Sequence, residues 1–167
     1  MRSIFEYLST KVKSSIIKAN DNNIQQIVND EIKHLGFEAD LNHIDVSKVT
    51  DMSWLFYDSK FNGDISNWDV RKVENMSGMF AHSEFNGDIP NWDVSKVTDM
   101  SYMFASSKFN GDISNWDVSN VEDMRNMFYS SIFNGDISNW DVSNVKDMRN
   151  IFYNCPLAKN PPKWYKK

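Results

Sequence analysis

The sequence predicts an α/β repeat solenoid: a stack of short parallel strands and short helices, closed at its N-terminal end by a helical cap. Three observations carry this expectation. A 24-residue unit, FNGDISNWDVRKVENMSGMFAHSE at 61–84, recurs from Phe85, Phe109 and Phe133. A weaker copy precedes it at 37–60 and a truncated one follows it at 157–164. Within the unit the apolar spacing changes midway, from a strand-like to a helix-like period. A unit of this length cannot bury its apolar face alone, so neighbouring copies stack and share a core. The boundaries that follow are a helical cap at 1–36, five repeats at 37–156, and a truncated repeat with a C-terminal tail at 157–167.

In the cap, Ile4, Phe5, Leu8, Val12 and Ile16 fall at helical spacing and predict an amphipathic helix over 2–19. The run Asn20-Asp21-Asn22-Asn23 breaks it. A second helix follows, with Asn22 and Gln25 placed as a capping box, an apolar stripe of Ile24, Ile27, Val28 and Ile32, and Gly36 as its stop. The pair reads as the cover that the open end of a stack needs. A separate docking helix pair is the alternative.

In the repeat, Ile65-x-x-Trp68-x-Val70 matches the leucine-rich template, so the stack is expected to be leucine-rich-repeat-like. Residues 67–71 are expected to form a strand with Trp68 and Val70 facing in. Met76, Met79 and Phe80, at i, i+3 and i+4, predict one or two helical turns. Gly63, Gly87, Gly111 and Gly135 recur at one place, which predicts either a positive φ or a close backbone approach; the first copy has Ala39 there. Positions held constant across copies read as core, because stacking asks the same residue of every layer. These are the Trp column (Trp68, Trp92, Trp116, Trp140, with Ile44 in the first copy) and the recurring Met and Phe positions.

The string GDISNWDVSNVxDMxxMF resembles the repeats of the BspA-like leucine-rich-repeat family of bacterial surface proteins, over residues 37–156. The resemblance implies a right-handed stack, a bacterial or phage origin, and binding to other proteins or host surfaces. It does not imply an enzyme.

Composition narrows the function classes. The net charge is −5, which argues against nucleic acid as the main partner, since phosphate binding needs clustered Lys and Arg. Cys155 is the one cysteine, too few for an internal disulfide or a cysteine-based metal site. The N-terminal residues lack the apolar core of a secretion signal, and no stretch reaches the length of a membrane span. A cytoplasmic protein is expected from the sequence as written; the resemblance alone would place it on a surface or virion. The three histidines (His34, His43, His82) have no ligand spacing, and no phosphate loop or nucleophile motif is present. No catalytic residue, metal or cofactor is expected.

Two sets of residues are candidates for function. Positions that vary between copies carry what is individual about the chain. One runs Trp54, Gly78, Tyr102, Asn126, Asn150; another runs Tyr57, Ala81, Ala105, Tyr129, Tyr153. Exposed aromatics are enriched at binding hot spots. Trp54, Tyr57, Tyr102, Tyr129 and Tyr153, with Ile132 where other copies carry charge, are therefore expected to form a contact face for a protein partner. Partial burial between layers is the bland alternative. The second set is the acidic column Asp45, Asp69, Asp93, Asp117 and Asp141, expected to project from an exposed sheet face. Like charges at the strand spacing of about 4.8 Å repel by about 1 kcal/mol per pair in water, so something should offset them. Hydrogen bonds to turn amides and Ser or Asn side chains, a basic partner, or Ca²⁺ would each serve. Two functions stay open: an interaction module that binds a protein, or a structural or adhesive element that self-assembles through its C-terminal end.

Overall fold

The computed structural model describes residues 15–166. Its regular elements are few. Strand β1 (Ile17–Lys18) pairs in parallel with strand β2 (Ile44–Asp45), helix α1 (Ile24–Leu35) lies between them in sequence, and one 3-10 turn spans Pro156–Ala158. The expected solenoid of strands and helices is overturned: between β2 and Pro156 the described residues hold turns and isolated bridges, and neither a strand nor a helix.

The reason lies in how the repeat's amides are satisfied. Four of the five copies have three places where an Asp or Asn carboxyl or amide oxygen accepts the backbone N–H two residues on; the third has two, since Pro90 has no N–H to give Asp88. In the second copy these are Asp64 to Ser66, Asp69 to Arg71 and Asn75 to Ser77, at 2.9, 3.3 and 2.9 Å. Such local bonds compete directly with helix and sheet ladders. The expected strand at 67–71 therefore becomes a turn, although Trp68 and Val70 are buried.

The expected helical turn at Met76–Phe80 fails for a second reason. Gly78 and His82 have φ of 61° and 59°, outside the right-handed region, and the pattern repeats at Trp54 and Asp58, Tyr102 and Ser106, Asn126 and Ser130, and Asn150 and Asn154. The chain alternates. Met79, Ala81 and Ser83 donate three residues back, to Met76, Gly78 and Phe80. Met76, Gly78, Phe80 and His82 donate instead to the next copy, at Asp99, Ser101, Met103 and Ala105 (2.8–2.9 Å). Apolar spacing of i, i+3, i+4 suits both a helix and this ribbon of turns, which is why the sequence pattern misled.

Copies are thus layers in register. Single parallel bridges join Asp51 to Asn75, Asn75 to Asp99, Asp99 to Asp123 and Asp123 to Asp147. Between them runs the core. Phe56, Phe80, Phe104, Phe128 and Phe152 stack at 5.4 to 6.0 Å, and Phe61, Phe85, Phe109 and Phe133 form a second column at 6.2 to 6.3 Å. Trp68, Trp92, Trp116 and Trp140 are buried, and each indole N–H donates to a carbonyl in the preceding layer, those of Leu41, Ile65, Ile89 and Ile113. Trp164 continues the column, 6.5 Å from Trp140, with its N–H on Ile137. The recurring glycines serve close approach and not positive φ: a Cβ at Gly63 would lie 2.0 Å from the Ala39 carbonyl oxygen.

The N-terminal end is closed. The first expected helix falls mostly on residues 1–14, outside the described residues; its last part is β1, because Ile17 and Ala19 donate to His43 and Asp45 of the first layer. Helix α1 ends at Gly36, whose φ of 94° stops it and whose N–H returns to Ile32. Its capping box does not form. Asn23 takes the cap position, its side chain accepts from Asn20, and Gln25 reaches outward to the Leu55 carbonyl at 3.1 Å. Ile24 and Val28 enter the core, and Asp21 accepts from Thr50 and Asp51. Among the described residues, no helix is long and apolar enough to cross a membrane.

Candidate functional site

The ribbon of turns presents its positive-φ residues outward. At this column the layers carry Trp54, Gly78, Tyr102, Asn126 and Asn150. Trp54 is 45% exposed and Tyr102 37% exposed, with φ of 59° and 58°. The left-handed region costs an ordinary L-residue about 1–2 kcal/mol; Gly visits it freely, and Asn often. The indole of Trp54 lies across Gly78, where a Cβ would come within 2.3 Å of it, and reaches to 6.3 Å from the Tyr102 ring. Gly78 therefore serves as a seat that lets one indole span a layer and meet a ring two layers on.

Tyr57 joins this cluster edge-on, 5.4 Å from Trp54, and packs in turn against His82 at 5.7 Å. Farther along the stack, Tyr129 and Tyr153 lie parallel at 5.0 Å. Five of the six candidate contact residues thus fall into two ring clusters, Trp54–Tyr57–Tyr102 and Tyr129–Tyr153; the sixth, Ile132, is exposed and belongs to neither. Sequence reasoning missed His82 and the role of Gly78. The signal for Gly78 was present in the column itself, where a residue without a side chain stands between two large aromatics. Beside Tyr102 the surface turns polar, with Arg125, Asn126, Arg149 and Asn150. Arg125 and Arg149 are paired with Asp123 and Asp147 at 3.1 and 2.6 Å.

Apart from Asp45, at the end of β2, the acidic column does not project from a sheet: Asp69, Asp93, Asp117 and Asp141 lie outside any strand. Each Asp closes a turn on the residue two places on: Asp45 on Ser47, Asp69 on Arg71, Asp93 on Ser95, Asp117 on Ser119 and Asp141 on Ser143. These bonds offset the mutual repulsion. The Ser47 hydroxyl and amide hold Asp45 below the usual 3.8, although the neighbouring Asp69 charge pushes the other way. Asp93 is lowered by the Ser95 hydroxyl and amide, and Asp69 by the Arg71 guanidinium above all. Asp147, held by the Arg149 guanidinium, falls to about 2. Among the described residues no group of three or more His, Cys, Asp or Glu side chains is arranged to hold a metal ion.

A pH dependence follows. Asp45, Asp69, Asp93, Asp141 and Asp147 have folded-state pKa values below 3.8, so the stability they contribute is fully present above that value and is lost as pH falls through the folded values. Melting temperature is expected to be flat from pH 7 to about 5 and to fall steeply between about 4 and 2. Thermal scans across that range check this, and a melting temperature that holds down to pH 2 would contradict it.

Three overlapping segments of the chain, 1–84, 21–131 and 82–165, match the model of a family described as "Mycoplasma protein of unknown function, DUF285". Together they run through every repeat, as a repeat protein would. No curated protein and no solved structure matches.

Proposed function

The chain belongs to the Mycoplasma DUF285 family, and we propose that it is a non-enzymatic interaction module that binds a protein partner through the aromatic face centred on Trp54 and Tyr102. One observation carries the reading. Two bulky rings are held half-exposed at a backbone conformation that disfavours them, at a position where other layers place Gly78, Asn126 and Asn150. Folding alone would favour Gly or Asn at every layer. Backbone strain kept at a surface site points to use of the side chain, and Trp and Tyr are the residues that most often dominate binding interfaces. The resemblance of the repeat string to BspA-like proteins, which bind other proteins or host surfaces, supports the same reading at the level of the motif.

The test uses substitutions that the fold already accepts. Trp54→Asn/Tyr102→Asn copies the residue found at Asn126 and Asn150. The double variant is expected to melt within about 1 kcal/mol of wild type, since relief of backbone strain offsets lost ring contact. Its affinity for a partner captured by the wild-type chain and then purified is expected to fall at least about 30-fold, the loss of one hot spot of about 2 kcal/mol. A partner held equally by both chains, or no saturable partner for wild type, would overturn the proposal.

A further inference from the structure

We propose that Asn134 is a site of self-modification: its side-chain amide closes on the Gly135 nitrogen and is converted to aspartate or isoaspartate, while the three other Asn-Gly pairs of the stack are held back. The proposal does not depend on the aromatic face. Two observations carry it: one local sequence present four times, and a ladder of hydrogen bonds that holds every member but the last.

The pentapeptide Phe-Asn-Gly-Asp-Ile occurs at 61–65, 85–89, 109–113 and 133–137. Glycine after asparagine is what the chemistry needs. The Gly nitrogen, once a base has taken its proton, attacks the Asn Cγ; a Cβ on the attacking residue would crowd that approach, and Gly has none. The new N–C bond closes a five-membered cyclic imide, and the bond from Cγ to the side-chain nitrogen breaks, releasing ammonia. Water then opens the imide at either carbonyl, giving aspartate or, with the main chain routed through the side chain, isoaspartate. Nothing is oxidised or reduced, and solvent supplies both the base and the water. None of the four Gly amides donates to a backbone carbonyl among the described residues, so the attacking group is alike at all four sites.

What differs is the hold on the asparagine. The backbone N–H groups of Asn86, Asn110 and Asn134 donate to the Oδ1 atoms of Asn62, Asn86 and Asn110, one layer back, at 2.7, 2.7 and 2.8 Å. Each of these three side chains is thereby fixed toward the next layer, and closing on its own Gly requires that bond to break. The ladder stops at Asn134. The residue one period on is Ala158, and its N–H turns back to the Cys155 carbonyl at 2.9 Å, in the 3-10 turn that begins at Pro156. The Asn134 Oδ1 accepts no hydrogen bond among the described residues. Exposure does not separate the sites, since Asn86 and Asn110 are exposed as Asn134 is. The missing tether is what sets Asn134 apart from pairs of identical local sequence.

The test incubates the folded chain at mildly alkaline pH and follows each site by the masses of its tryptic peptides. Cleavage after Lys and Arg places the four pairs in four different peptides, 61–71, 73–96, 109–125 and 126–146. Replacement of NH2 by OH in peptide 126–146 is expected to run at least about five-fold faster than in the other three, the rate equivalent of about 1 kcal/mol for one hydrogen bond. In urea the four rates are expected to converge, because the local sequences are the same. Asn134→Gln should abolish the fast modification of its peptide. The proposal is overturned if the four peptides react equally in the folded chain, if another pair leads, if the same order persists in urea, or if peptide 126–146 is still modified fast in the Asn134→Gln chain.

Discussion

Phe104→Ala is expected to cost about 3–5 kcal/mol of folding stability, the range for emptying a large aromatic from a core that cannot collapse. Phe104 is fully buried in the third of five layers. Its ring lies 5.7 Å from Phe80, 4.2 Å from Phe109, 6.3 Å from Trp116 and 5.8 Å from Phe128, so one deletion opens contacts in both directions along the stack. Relaxation is restricted because each neighbour is held by its own column and by bonds to the next layer, such as that from the Phe104 amide to Met127 at 2.9 Å. Stacked repeats are held mainly by nearest-neighbour interfaces. The loss should therefore appear as reduced hydrogen-exchange protection in the layers on both sides of Phe104, and as an earlier midpoint in urea. Tyr153→Ala, which removes a ring that is 58% exposed, serves as the control and should change stability by well under half as much. A loss below about 1 kcal/mol for Phe104→Ala would mean that the Phe columns do not carry the stack.

Gly63→Ala is the second large effect, and it separates two ways in which a glycine can be required. The φ of Gly63 is not in the left-handed region, so the backbone tolerates alanine. The space does not: the methyl would lie 2.0 Å from the Ala39 carbonyl oxygen and 2.8 Å from the Ala39 nitrogen. That carbonyl accepts the Asp64 amide at 3.0 Å, and the neighbouring Asn62 amide donates to Phe37 at 2.8 Å, so the methyl strikes the seam between the first two layers. Backbone cannot swing aside as a side chain can, and a loss of at least about 1–3 kcal/mol is expected. Gly111→Ala should cost less, since its methyl meets the edge of the Phe109 ring at 2.9 Å and backbone only at 3.4 Å. Denaturation midpoints for the two variants give the order directly. Equal losses, or a larger one at Gly111, would mean that the close approach at Ala39 is not the constraint.

The candidate site was legible in part. Comparing copies within one chain marked the columns that contain Trp54, Tyr57, Tyr102, Tyr129 and Tyr153, all at least partly exposed. The same comparison could not show that Trp54 skips a layer to meet Tyr102 over Gly78, because that depends on the outward direction of a positive-φ residue. Nor could it show that His82, from a column of otherwise small or polar residues, packs on Tyr57.

By itself the sequence determined the period, the register of the layers, and which columns lie inside, because each buried position must be filled by the same residue type in every copy. It also determined α1 and its stop at Gly36, where local periodicity and one positive φ suffice. Only the tertiary structure decided that the layers are built from turns. Each amide of the repeat can choose among a carbonyl three residues back, an Asp oxygen two residues back, and a carbonyl one layer on, and apolar spacing is the same for all three. Tertiary structure also drew Gln25 from the predicted capping box to the Leu55 carbonyl, a contact 30 residues away in sequence. It left the opposite edge with four amides, those of Met148, Asn150, Phe152 and Asn154, and no acceptor for them among the described residues, a difference between the two ends that a repeating sequence does not display.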